Sequence, residues 1–289
     1  MKKRILVTGG AGFIGSHLIK KLINGKNVVV SIDNYSNGYV ENHVDGAVYI
    51  KGETLDISNI LKNENSFDVV YHFGEYSRIV PSFTQIHDVW MSNSLGTFNV
   101  LEYCKNTNVS KIIYAGSSTK FASEGTSHSP YAFTKSKSAE LVKNYYKWYG
   151  LNFSICYFYN VFGNRNINKN DKYESVISVF ANQYKSNLPL TVCGNGKQRR
   201  TFTYIDDIIC GLIKATEYNG NEEFQLNDTK EFTILEIANM FSDNIIYLPQ
   251  RPGDRHCSIT TDNKARELLD WDVTMSIDTW INNIINDSK

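Results

Sequence analysis

A doubly wound α/β fold around a parallel sheet is what this sequence predicts, and three observations predict it. Apolar runs rich in Val, Ile, Tyr and Phe alternate with helical patterns over the first 160 residues. The first run ends in a cluster of glycines, and the second ends in an aspartate. A strand that is apolar along its whole length is covered on both faces, which marks a parallel sheet between two helix layers.

Taken in order, strands are expected near Ile5–Thr8, Val28–Ile32, Ala47–Ile50, Val69–Phe73, Ile112–Ala115 and Phe153–Phe158. Helices fit between them at Phe13–Asn24, Ile57–Leu61, Asp88–Lys105 and Tyr131–Tyr149. After Asn160 the pattern loosens into the polar stretch GNRNINKNDKYE and a turn at CGNGKQ. Helices are expected near Val176–Tyr184, Ile208–Glu217, Ile234–Phe241 and Asp262–Leu269. The organisation read from this is a nucleotide-binding domain over residues 1–160, joined by residues 203–220, and a smaller interleaved lobe over 161–289.

The 289 residues carry 30 basic and 30 acidic side chains, and no long run of one sign. Such a balance argues against a partner that is nucleic acid or a membrane surface. Five scattered cysteines, Cys104, Cys156, Cys193, Cys210 and Cys257, fit neither a disulfide framework nor a metal site, and point to a reducing, cytoplasmic setting. The opening MKKRILVTGG is too short in its apolar part for a signal peptide and reads as a buried strand. No apolar run reaches the length of a membrane span.

The segment ILVTGGAGFIGSHL joins the first strand to the first helix, and within it Gly9, Gly12 and Gly15 recur every third residue. Glycines let the chain turn tightly, approach a pyrophosphate and seat the helix on the strand, while the helix start supplies amide donors, here from Phe13 and Ile14. The next strand, VVVSID, ends at Asp33, whose carboxylate suits the two hydroxyls of an adenosine ribose. That order of strand, turn, helix, strand and acid predicts a Rossmann-type dinucleotide site. A carboxylate there repels a 2′-phosphate, so NAD is expected over NADP.

SPYAFTK opens the helix at 131, with Ser129 as its cap and Pro130 at its first position. Tyr131 and Lys135 then share a helix face. A free phenol loses its proton only near pH ~10, and an adjacent ammonium together with a cationic nicotinamide would favour the phenolate. Tyr131 thereby becomes usable as a general base. On spacing alone the pair is no more than two residues of an aromatic-rich helix. Ser117, in the GSST that ends the fifth strand, faces the ligand crevice of such a sheet and can share a substrate oxygen with Tyr131; a plain turn is the competing reading.

Together these pieces resemble the extended short-chain dehydrogenase/reductase family, and within it the NAD-dependent nucleotide-sugar epimerases and dehydratases, over nearly the whole chain. The resemblance implies that TGGAGFIGSHL is the cofactor turn and that IDNYSNG, with Asn34, is the ribose loop. It implies that Asp56 and Ile57 contact adenine, that Phe73 and Gly74 lie against the cofactor, and that Asn93 opens a helix supporting the active site. It places Tyr131, Lys135 and Ser117 on the catalytic positions, beside Ser118. Asn160 in YNVFG, Arg200 in CGNGKQRRTFTYIDD, and Arg251 and Asp254 in RPGD fall on contacts to a nucleoside diphosphate. Guanidinium forks suit phosphate oxygens.

The 4,6-dehydratases of that family carry Asp-Glu where this chain has Ser118 and Thr119, which disfavours dehydration and leaves a C4 epimerase. In the expected cycle Tyr131 takes the 4-hydroxyl proton as hydride passes to NAD. The 4-keto sugar then turns over and both return. Departures lie at Gly74-Glu75 and Arg78, which suggest an unusual sugar, at Lys120, Phe121 and Ala122, and at Tyr157. Ser258, where hexose-specific epimerases carry a tyrosine, hints at room for an N-acetyl group. A keto-reductase or sugar dehydrogenase and a non-catalytic NAD sensor are the alternatives. The resemblance also implies a homodimer formed by pairing the helices at 88–105 and 131–149 into a four-helix bundle.

Overall fold

The protein is described by a computed structural model covering residues 2–122, 125–164, 175–251 and 262–287. In chain order the first half forms β1 (Arg4–Thr8), α1 (Phe13–Asn24), β2 (Val28–Asp33), β3 (Val48–Lys51), α2 (Ile57–Ile60), β4 (Val69–His72), α3 (Ile86–Trp90), α4 (Thr97–Asn106), β5 (Lys111–Ser117), α5 (Pro130–Tyr149) and β6 (Asn152–Phe158). The second half adds β7 (Asn160–Phe162), α6 (Val176–Lys185), β8 (Leu190–Cys193), β9 (Arg199–Tyr204), α7 (Ile205–Glu217), β10 (Glu222–Leu226), β11 (Glu231–Thr233), α8 (Ile234–Phe241), β12 (Ile245–Leu248), α9 (Lys264–Leu269) and α10 (Ile277–Asp287).

Seven strands make one sheet in the order β10-β6-β5-β4-β1-β2-β3, and every neighbouring pair is parallel. The expected doubly wound sheet is therefore present. Leu6, Val70, Ile112 and Ile155 feed the apolar layer on one face, and Val7, Tyr71, Ile113 and Cys156 feed the layer on the other. This alternation at buried positions is why the strands read as continuous apolar runs. The strand order reverses between β1 and β4, the point at which sheets of this topology bind ligands outside the carboxyl ends of their strands.

Residues 205–226 return to this sheet, α7 covering one face and β10 forming its last edge. Neither β10 nor the small lobe sheets β11-β9-β7 and β12-β8 stood out in the sequence. The lobe has its own core of Phe162, Phe180, Phe202, Phe232, Phe241 and Trp280. It is fastened to the larger sheet by Asp207 on α7, whose carboxylate accepts from Thr274 Oγ1 at 2.6 Å and the Thr274 amide at 3.0 Å.

The helix expected at 88–105 is divided. α3 passes into a π-helical turn over Met91–Gly96 before α4 continues. The wide turn carries the fully buried Asn93, whose side chain accepts from the Tyr76 amide at 2.7 Å and donates to the Tyr76 carbonyl at 3.0 Å. An inserted residue of this kind aims a side chain that a regular helix would place elsewhere. Among the described residues no helix is long and apolar enough to cross a membrane.

Candidate active site

Gly9 turns the chain with φ 75°, and a Cβ there would stand 2.8 Å from the Phe73 carbonyl carbon. At Gly15 a Cβ would meet the Gly9 oxygen at 2.3 Å, so the helix can sit this close to the turn only without a side chain. Gly12 differs. A Cβ there would meet the Gly9 oxygen at 3.2 Å and no other atom within 4 Å, which leaves open space over the start of α1. No side chain caps that helix, and the amides of Phe13 and Ile14 lie in its first turn. A crowded, side-chain-free turn opening on uncapped amides fits a pyrophosphate.

Asp33 ends β2 as expected and is buried. Its Oδ2 accepts from the Ala11 amide at 2.9 Å and its Oδ1 from the Tyr35 amide at 2.8 Å. Burial holds this carboxyl above its ordinary value in spite of both amides. The loop that follows folds back on the glycine turn, Tyr39 N and Asn42 Nδ2 both donating to the Ala11 oxygen. Asn34 is exposed and bonds the Ser36 amide. Asp56 is exposed and accepts from Asn59 Nδ2 at 2.5 Å, whereas the Ile57 side chain is wholly within the core and leaves only its backbone for a ligand.

α5 begins as the sequence implies. Ser129 Oγ accepts from the Ala132 amide at 3.1 Å, Pro130 occupies the first turn, and Gly150 ends the helix in the left-handed conformation. The helix lies against β5 and the short turn Ser118–Phe121. Lys135 is thereby buried, donating to the carbonyl of Ala115, two residues before Ser117. Tyr131, one turn earlier, is half-buried and in electrostatic contact with Tyr114 on β5. Ser117 Oγ accepts from Thr119 Oγ1 at 2.9 Å, which commits its acceptor side and leaves its own proton to donate. Ser118 and Thr119 are both buried, and no carboxylate stands at this turn.

In the sequence Glu75 stands out only as a departure that suggests an unusual sugar. The structure turns it onto Lys135, with the two side chains 3% and 6% exposed. Glu75 Oε2 takes Lys135 Nζ, while Oε1 accepts from Thr97 Oγ1 and Tyr114 OH, each at 2.9 Å. Behind Thr97 lies the fully buried His72. Its Nε2 is 3.0 Å from Thr97 Oγ1, and its Nδ1 is 2.7 Å from Thr8 Oγ1. Thr8 Oγ1 already accepts from the Phe73 and Gly74 amides, so its proton goes to His72 Nδ1. The imidazole then donates from Nε2 to Thr97, and Thr97 donates to Glu75. Burial pushes the imidazole down to about 4, so it is neutral in this chain of bonds. The one signal available beforehand was an acid standing two residues beyond a buried strand.

Two other departures explain each other. Lys120 Nζ donates to Tyr157 OH at 2.7 Å and to Glu223 at 2.6 Å, so both are turned to the β6–β10 edge and away from the cleft. Of the residues implied for the diphosphate, Asn160 and Arg200 lie on the neighbouring strands β7 and β9, and Asn160 Nδ2 donates to the Thr201 carbonyl at 2.8 Å. Arg200 is buried and Arg251, beyond β12, is exposed. Asp254 and Ser258 lie outside the described residues.

Comparison with known proteins agrees with this geometry. The UDP-glucuronic acid decarboxylase 1 of Arabidopsis thaliana is 28% identical over 99% of this chain and 70% of its own length. The UDP-glucose 4-epimerase of Thermotoga maritima, solved with UDP-glucose, superimposes with a TM-score of 0.88 at 26% identity, covering 98% of this chain and 97% of that one. The UDP-glucuronic acid 4-epimerase of Bacillus cereus, solved with UDP-glucuronic acid and NAD, gives 0.85 at 27% identity over 99% and 100% of the two chains. Residues 5–226 match the NAD dependent epimerase/dehydratase family, an extended short-chain dehydrogenase/reductase family, and the chain belongs to it, with NAD as its cofactor.

Proposed function

We propose that this protein is a C4 epimerase of nucleoside-diphosphate sugars, and that the nucleotide is UDP. The observation that carries the reading is the turn after β5. Thr119 is spent on Ser117 and Ser118 is no acid, so positions 118 and 119 supply a hydroxyl for the 4-oxygen but not the acid–base pair that would expel water from the sugar. The UDP-sugar ligands of the solved relatives favour the same substrate class.

When bound, NAD supplies a reversible hydride acceptor. Tyr131 takes the proton of the 4-hydroxyl and later returns it. Ser117 donates to the same oxygen and holds it against Tyr131. Lys135, with two of its three N–H groups on Glu75 and Ala115, has one left for a ribose hydroxyl of the cofactor. Asn160, Arg200 and Arg251 hold the diphosphate, which keeps the ketone in the cleft while the sugar turns over.

The deciding experiment incubates the purified protein with UDP-sugars, without added cofactor, and reads product stereochemistry by NMR. Formation of the C4 epimer supports the proposal. Release of carbon dioxide, or turnover that appears only when stoichiometric NADH is added, overturns it in favour of a decarboxylase or a keto-reductase.

We further propose a homodimer in a cytoplasmic setting. Trp90 on α3 and Phe133 on α5 stack at 6.3 Å while 52% and 39% exposed, and Leu95 and Phe98, on the π turn and α4 that continue from α3, are also exposed. An aromatic face of this kind on adjacent helices suits burial against a second copy. Sedimentation of wild type against Phe133→Glu tests it: a monomeric variant is expected, and a wild-type monomer refutes it.

A further inference from the structure

With Tyr131 in its proposed role of proton acceptor, on which the inference rests, the pairing of Glu75 with Lys135 bears on the acid–base chemistry itself. A lysine beside a phenol favours the phenolate because its ammonium is positive. In this site the ammonium is matched by a carboxylate that also takes the hydroxyls of Tyr114 and Thr97. Three donors converge on this one carboxylate, and two opposite charges in contact present little net field to a group beyond them.

We propose that Glu75 is a positioning residue and counter-charge. It holds Lys135 at the buried end of the site and cancels its field at Tyr131, so that the arriving cationic nicotinamide, and not Lys135 alone, draws off the phenol's proton. The base is then generated only where the hydride acceptor is already in place.

The surrounding groups leave this charge balance to the pair. His72 on β4 is neutral, and Tyr114 on β5 keeps its proton because burial and Glu75 both oppose its ionisation. On the elements packed against α5, Lys120 is turned to Glu223, His128 to the Gly125 carbonyl, and Glu102 to Lys105 and Tyr145. His87 and Asp88 face each other at the surface.

The test follows ¹³Cζ-labelled tyrosine by NMR across a pH titration, with Tyr131→Phe identifying the signal, in protein freed of cofactor and again with NAD. In wild type the Tyr131 midpoint should fall when NAD binds. In Glu75→Gln without cofactor it should already lie about one pH unit below wild type, and Glu75→Asp should restore the wild-type value. Coincident midpoints in wild type and Glu75→Gln would overturn the proposal, and the Glu75→Asp variant separates lost charge from altered packing.

If Glu75→Gln fails to fold, as removal of one partner of a buried pair can cause, the double variant Glu75→Gln/Lys135→Met removes both charges together. Its cofactor-free Tyr131 midpoint should match wild type, and a midpoint above wild type refutes the counter-charge. Substrate plays no part in these measurements, so a wrong sugar or reaction would appear in the product assay and not here.

Discussion

At the proposed cofactor site the groups are backbone amides at the start of α1 and one carboxylate at the end of β2, all within the first 33 residues. At the proposed diphosphate site they are side chains on β7, on β9 and after β12, the two strands paired with each other and backed by a separate core. The first region is fixed by local backbone geometry, where Gly9 and Gly15 answer close approaches and Gly12 leaves space open. The second relies on side chains carried by the lobe. On the proposed assignment, the difference teaches that this molecule meets its constant ligand with backbone and its variable ligand with side chains.

The sharpest probe sits where the two halves meet. Tyr131→Phe should lower turnover about a thousandfold while leaving NAD affinity unchanged, as read by initial rates and by nicotinamide-dependent fluorescence quenching. Equal loss of NAD binding would show that the two halves cannot be separated at that residue.

Next in size is the seam at His72. Its imidazole is held down to about 4, whereas in the unfolded chain it titrates near its ordinary value of 6.5. The unfolded state therefore binds the extra proton between those values, and stability falls as pH drops through that window. The loss reaches about 3 kcal/mol at the acid end. Urea midpoints at pH 7 and pH 4.5 should differ more in wild type than in His72→Gln.

Gly15→Ala should strike the cofactor half, costing about 2 kcal/mol because the new methyl meets the Gly9 oxygen, and weakening NAD binding with it. A thermal melt with and without NAD measures both effects. The smallest change is expected from Arg251→Ala, about a tenfold rise in KM for the nucleotide sugar with NAD affinity untouched. Weakened NAD binding in that variant would break the division between the halves.

How much could be read beforehand follows the same division. β1, β2, β4, β5 and β6 are buried on both faces, so their apolar runs announce them, and α1 and α8 have the bounds that periodicity implies. The lobe strands are three to six residues long and mix polar with apolar positions, which gives no usable period. The π turn at 91–96 escaped because nothing local demands it; it exists to carry Asn93 to Tyr76. Glu75 escaped for a similar reason. Its partners Thr97, Tyr114 and Lys135 are 22, 39 and 60 residues away.

By itself the sequence determined the doubly wound sheet and the NAD cofactor, and it nominated the Tyr131, Lys135 and Ser117 set that the proposed function uses, because each is encoded in a short stretch whose residue types the backbone or the chemistry requires. Only the tertiary structure decided that Lys135 is balanced by Glu75, that Lys120 belongs to Tyr157 and Glu223, and that β10 closes the main sheet. Those facts depend on which distant residues the crossovers of a parallel sheet bring side by side, and a linear order of side chains does not carry them.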